Sequence, residues 1–290
     1  MKLSLGFSPC PNDTFIFDAL IHGKIDTGDL SFEPSYQDVE TLNQMAFAQQ
    51  LDITKLSYHA FAYAAEDYEL LDAGSALGFG VGPLLITKDK DLAERLSNYA
   101  GQDLPADLLG LRVGIPGKYT TANFLLGLAY PQLTNKQELV FSDIENAVLD
   151  GRVDVGLIIH ENRFTYSERG LSKAQDLGEF WERDTGYPIP LGGIVIKRSL
   201  PQSVKQQVNK LIADSVRFAF ANPKSGLDYI RSHAQEMEES VMYQHIDLYV
   251  NKYSENLGEK GRASVNYLFS EAERLELIPP RTQDLFLASI

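Results

Sequence analysis

"VGPLLITK" (residues 81–88) and "GGIVIKRS" (residues 192–199) decide how this chain is divided. Each is an apolar run of strand length headed by glycine or proline. Ahead of the first run, strand and helix patterns alternate. Strands are predicted at "LSLGF" (3–7), "LSFEPS" (30–35) and "LDIT" (51–54). Helices are predicted at "TFIFDALIHG" (14–23), "DVETLNQMAFAQQ" (38–50) and "YHAFAYAAE" (58–66). Phe15, Ile16, Ala19 and Leu20 share one helical face, Gly23 supplies a stop, and Asp38 and Ser57 stand at N-cap positions. A second alternating set follows residue 88. It has strands at "LRVGIP" (111–116), "ELVF" (138–141) and "VDVGLII" (153–159), with helices at "TANFLLGLAY" (121–130) and "SDIENAVLDG" (142–151). The run at 192–199 then returns the chain to the first set. From Pro201 on the pattern is helical, at 203–221, 226–234 and 261–277. The expected division is a discontinuous larger lobe, 1–87 with 195–290, and a smaller lobe, 88–194. Two crossings make a hinge, and a hinge makes a cleft. Alternation of this kind predicts an α/β protein with two mixed sheets flanked by helices.

Bulk properties narrow the function. The 290 residues are 44% hydrophobic, which suits a globular chain of one large or two medium domains. Forty Asp and Glu face 26 Lys and Arg, for a formal charge of −14. That balance argues against nucleic acid and against docking on anionic membranes. A small anionic ligand is compatible with it, because backbone N–H groups at helix starts supply local positive charge. The single cysteine, Cys10, excludes an internal disulfide and reads better as a small residue in a tight loop than as a reactive thiol. Neither a signal core nor an apolar window of about 18 residues is visible. The expectation is a cytoplasmic protein.

Several motifs carry chemistry, each beside a plainer reading. Gly78, Gly80 and Gly82 in "GFGVGP" precede a strand, the wrong order for a dinucleotide loop. They suit a flexible approach to the hinge. In "IPGKYTTANFLLG" (115–127), Thr120 and Thr121 open a helix after a strand. They make an anion site, or they are ordinary caps. Lys55 and Ser57 in "LDITKLSY" stand at another strand end, as ligand groups or as a surface lysine beside a capping serine. His160 in "DVGLIIHENRFTY" follows an apolar strand, as a general base or as a histidine packed at the strand end. Arg163 and Tyr166 could rim the same opening. His22, His59, His233, His245 and Cys10 lack metal-ligand spacing. No G-x-S-x-G or P-loop is present.

Taken together, "SPCPNDTFIFDAL" (8–20), "DVETLN" (38–43), "TKLSYHA" (54–60), "GSALGFGVGPLL" (74–85), "GKYTTANFLL" (117–126) and "LIIHENRFTY" (157–166) resemble the 1,4-dihydroxy-6-naphthoate synthases of the futalosine route to menaquinone. The resemblance covers residues 1 to 200 in order; the helical remainder is similar only in general character. It implies a two-lobed, periplasmic-binding-protein-like type II fold, in agreement with the two crossings. It implies a lyase that converts cyclic dehypoxanthinylfutalosine to 1,4-dihydroxy-6-naphthoate and a three-carbon sugar fragment, dihydroxyacetone. His160 matches the family's general base. Lys55, Leu56 and Ser57 match its ligand contacts in one lobe, and Thr120 and Thr121 those in the other. The resemblance implies no metal, no organic cofactor and no obligate protein partner. On this reading the loop at 8–14 is a cleft wall, stiffened by Pro9 and Pro11, with Asn12 to Thr14 presenting polar groups to the cleft. The rival readings are a non-enzymatic carboxylate-binding protein of the same fold, the sibling chorismate dehydratase, and a ligand-sensing domain. An export signal or lipid-anchored cysteine would mark the first, and an attached DNA-binding module the last.

Overall fold

A computed structural model describes residues 1–160, 162–234, 238–278 and 280–288. Glu161, within the motif around His160, lies outside them. The chain opens with β1 (Lys2–Phe7), α1 (Pro11–Ile21), β2 (Ser31–Tyr36), α2 (Val39–Phe47), β3 (Ile53–Ser57), α3 (Tyr58–Ala64), β4 (Tyr68–Leu70) and β5 (Ala76–Gly78). There follow β6 (Leu84–Thr87), α4 (Lys90–Ser97), β7 (Val113–Ile115), α5 (Thr121–Ala129), β8 (Lys136–Glu138), α6 (Ile144–Leu149), β9 (Val155–Ile158), α7 (Asn162–Thr165), β10 (Ser172–Asp176) and α8 (Leu177–Thr185). The last part is β11 (Ile189–Lys197), α9 (Gln202–Ala221), α10 (Leu227–His233), α11 (Glu239–Tyr249), α12 (Lys252–Glu255) and α13 (Gly258–Arg274).

Two units result: residues 1–78 with 190–290, and residues 79–189. The first holds a sheet in the order β2-β1-β3-β11-β4, with β5 also on β11. β1, β2 and β3 run parallel, and β11 is antiparallel to β3 and β4. The second holds a sheet in the order β10-β6-β9-β7-β8. There β9, β7 and β8 are parallel, and β6 is antiparallel to both of its neighbours, β9 and β10. Both sheets are therefore mixed. Phe7, Phe17, Ile53, Ile194, Val208, Ile212, Val216 and Ile246 fill the first core. Leu84, Ile86, Ile144, Val148 and Ile158 fill the second.

The unit boundaries differ from the expected 87/88 and 194/195. Leu84–Thr87 hydrogen-bonds to β9 and β10, so the first crossing run belongs to the second unit. Gly192–Ile194 pairs with β3, so these residues belong to the first. An apolar run shows that a strand is buried, and its pairing partner decides which core it joins.

Candidate active site

In the first unit, β1 ends at Phe7 and α1 starts at Pro11, with Cys10 at its N-cap position. Pro11 sits in the first turn of α1, where a missing N–H breaks no helical bond. The Cys10 carbonyl accepts the N–H groups of Asp13 and Thr14, each at 3.1 Å. Asp13 is buried in this turn, and its carboxylate is filled. Oδ2 accepts from Ser8 N at 3.2 Å and Ser8 Oγ at 2.7 Å. Oδ1 accepts from Asn12 Nδ2 at 2.8 Å and Lys55 Nζ at 2.5 Å. Lys55 is 7% exposed, so the surface-lysine reading is replaced by a buried ion pair. An ammonium has three donors, and Asp13 takes one.

Asn12 links this pair to the helical tail. Its Nδ2 faces the Asp13 carboxylate, so its Oδ1 is the atom facing His245 Nε2, at 2.8 Å. An amide oxygen only accepts, so Nε2 carries the proton. His245 is fully buried on α11. Side chains alternate along β3, which puts Lys55 and Ser57 on one face and Leu56 on the other. The Leu56 side chain is wholly buried, opposite Gly193 on β11. Ser57 precedes α3 but its hydroxyl does not cap it. Instead Ser57 N donates to Asn43 Oδ1 at 3.2 Å, and Asn43 Nδ2 donates to Ser57 Oγ at 3.5 Å. Thr14 is also not turned to solvent. It is fully buried, and its hydroxyl donates to the carbonyls of Cys10 and Pro11.

In the second unit the C-terminal ends of three neighbouring parallel strands carry the candidate groups. β9 leads to His160, β7 to the turn before α5, and β8 to Phe141. His160 has φ +59°, a left-handed backbone rare outside glycine. Its ring meets that of Phe141 edge-on, with centroids 4.9 Å apart. Thr120 caps α5: its Oγ accepts from Asn123 N at 3.2 Å and donates to the Gly117 carbonyl at 2.9 Å. Thr121 is the first residue of the helix. Lys136 Nζ reaches the same turn through Asn123 Oδ1 at 2.8 Å, and burial lowers its ammonium below the usual lysine range.

Arg163, expected with Tyr166 at the rim of the His160 opening, is engaged within its own unit. One guanidinium nitrogen donates to the Gly82 carbonyl and another to Asp176 Oδ2 at 3.1 Å. Gly80 and Gly82 hold no nucleotide loop. The Gly80 N–H donates to Glu182 Oε1 at 2.6 Å. A Cβ on Gly82 would lie 2.2 Å from the Gly178 nitrogen, so only glycine permits that approach.

Ser57 ends β3, Asn12 follows β1, Thr120 follows β7 and His160 follows β9, while Lys55, expected just past its strand, lies inside β3, which runs on to Ser57. Ligands of open α/β sheets gather at such ends. Asn43, His245 and Lys136 are not among the groups that the sequence marks as site residues, although Asn43 lies within "DVETLN". His245 is 233 positions from its partner, a separation that leaves no local signal.

Comparison with known proteins agrees with the motifs. A family described as "Menaquinone biosynthesis" matches residues 3–274. The 1,4-dihydroxy-6-naphthoate synthase of Thermus thermophilus is 44% identical over 98% of this chain and 99% of its own. That of Streptomyces coelicolor is 41% identical over 96% and 95%. A crystal structure of an Archaeoglobus fulgidus protein superposes with a TM-score of 0.84 at 33% identity, over 96% of this chain and 98% of that one. The ligand-binding component of an ABC-type importer from Staphylococcus aureus gives 0.70 at 13% identity, over 99% and 96%. That likeness shows a periplasmic-binding-protein-like fold and nothing more. The match over nearly the whole length makes this chain a member of the menaquinone-biosynthesis family to which the 1,4-dihydroxy-6-naphthoate synthases belong.

Proposed function

We propose that this chain is a cytoplasmic lyase that converts cyclic dehypoxanthinylfutalosine to 1,4-dihydroxy-6-naphthoate and dihydroxyacetone, with His160 as general base. The observation that carries the proposal is the match to two naphthoate synthases over at least 95% of each chain. The strand-end position of His160, on a left-handed turn, supports its role. In the first unit the proposed substrate contacts are Ser57, Asn12 and the two remaining donors of Lys55. In the second they are Thr120, Thr121 and the start of α5, which take a carboxylate. Leu56 contributes backbone only, and Thr14 contributes by fixing the turn that holds Asn12 and Asp13. His160 takes a proton, aromatisation of the second ring drives the bond cleavage, and the sugar fragment leaves. A binding protein without activity is the competing reading, suggested by the fold likeness alone.

The first test is His160→Asn, since an amide keeps hydrogen bonding but takes no proton at neutral pH. Single-turnover rates should fall by about 10²- to 10⁴-fold, the usual share of a general base. Substrate affinity by calorimetry should be unchanged. A variant that retains most of the wild-type rate removes His160 from the catalytic role.

A further inference from the structure

We infer that Arg163 is the positioning residue of His160, fastening the turn that carries the imidazole to the crossing segment at Gly82. The inference rests on the reading of His160 as base. Three observations meet at Arg163. Its own N–H closes on the His160 carbonyl at 3.4 Å, within the turn where His160 is left-handed. A side chain in that conformation is disfavoured by its Cβ, so surrounding contacts must hold it. The guanidinium then divides between two fixed partners, the Gly82 carbonyl and Asp176 Oδ2. The pair is nearly dry, with 14% of the Arg163 side chain and 5% of the Asp176 side chain exposed.

Both partners are themselves immobilised. Asp176 Oδ1 caps α8 through Gly178 N at 2.9 Å and Glu179 N at 3.2 Å. Gly82 lies against Gly178 with no room for a Cβ. On either side of Gly82, Gly80 is held by Glu182, and the Pro83 carbonyl accepts Leu177 N–H at 3.0 Å. The segment 80–83 is thus fastened along β10 and α8, and Arg163 ties the His160 turn to it. A planar fork suits this work, because it aims two donors at two acceptors at once. The glycine motif "GFGVGP" acquires a purpose: it is the fixed rail against which the base is set.

Arg163→Lys tests this directly. Lysine keeps the charge but replaces the planar fork by a single nitrogen, which cannot occupy both guanidinium positions. The expected result is a kcat lower by about tenfold to a hundredfold, the range for misplacing a catalytic group. The substrate dissociation constant should stay within about twofold, as for an interaction that matters in the transition state. The second readout is independent of activity. With ring-labelled histidine, the His160 resonance, identified by its loss in His160→Asn, should move in Arg163→Lys while the other four of the five histidines stay. If Arg163→Lys does not fold, Asp176→Asn replaces it. An amide oxygen can keep the α8 caps while the ion pair is lost, and the same two changes are expected. A wild-type kcat in a folded variant overturns the inference, and so does a loss of kcat with the His160 resonance unmoved. Should His160→Asn itself stay active, the base reading fails separately, and the resonance alone still decides whether Arg163 sets the ring.

Discussion

Asp13 and Lys55 meet with 2% and 9% of their side chains exposed, and each has left water for a single charged partner. Removing one partner strands the other. Lys55→Met should therefore lower stability by on the order of 3–5 kcal/mol, read from the denaturant midpoint. A loss below about 1 kcal/mol, the scale of a surface pair, would contradict the buried pair. From sequence, Lys55 and Asn12 are legible as candidates because Lys55 follows the predicted strand 51–54 and Asn12 stands at a helix start. Their pairing is not, because the Lys55–Asp13 bond spans 42 positions and a charged residue reads as exposed until its partner is known. Thr14 shows the converse. A polar residue at a helix start reads as facing the cleft, and its hydroxyl instead serves the backbone of its own turn. Asp52 offers a test by pH. Burial would raise its carboxyl, but hydrogen bonds from Ser4 N and Oγ and the Lys197 ammonium outweigh that and hold it below the ordinary carboxylate range. A group lowered on folding stabilises above its unfolded pKa, near 3.9, and loses that contribution as pH falls through the folded value. Asp52→Asn should be less stable than wild type at pH near 7, with the gap closing in acid. A gap that does not change with pH would contradict it.

At the scale of elements, α2 starts as its sequence reads, whereas the Ser57 hydroxyl leaves α3 uncapped. Asp38 Oδ1 accepts from Glu40 N at 3.0 Å and Thr41 N at 3.1 Å, so α2 has a true side-chain cap. Asp38→Ala should cost about 1 kcal/mol by thermal or chemical melting. α5 permits a sharper test. Thr121 is its first residue, a position that accepts proline, and the extended backbone of Thr120 (φ −72°, ψ 147°) suits a residue before proline. Thr121→Pro should fold normally and bind substrate more weakly, because one N–H at the proposed anion site is gone. Unchanged affinity by calorimetry would remove that site from α5. The elements that the sequence hid share a cause. β8 was expected at 138–141 and runs Lys136–Glu138, because an edge strand with partly exposed side chains has no hydrophobic signature. β10 is an edge strand of the same kind, and β4 and β5 are too short to show a period. α11 buries Met242, His245, Ile246 and Tyr249 at helical spacing, but a core histidine reads as polar and interrupts the pattern.

For the molecule as a whole, alternating patterns and two crossing runs were enough to read two mixed sheets and a discontinuous first unit. The exact borders were not legible, since they depend on which strand each crossing run pairs with. The formal charge of −14 has a kinetic consequence if the substrate is an anion. The general field opposes approach while helix starts attract at short range, so the association rate should rise with ionic strength as the field is screened. An association rate that falls with added salt would mean that a local positive field dominates. The account stands most directly on whether the chain turns over its substrate. Purified protein in molar excess should be mixed with cyclic dehypoxanthinylfutalosine, quenched over time and analysed by mass and absorbance. The account predicts loss of the substrate with matching appearance of 1,4-dihydroxy-6-naphthoate and dihydroxyacetone. Substrate that binds, as shown by calorimetry on the same sample, and is recovered unchanged would contradict it.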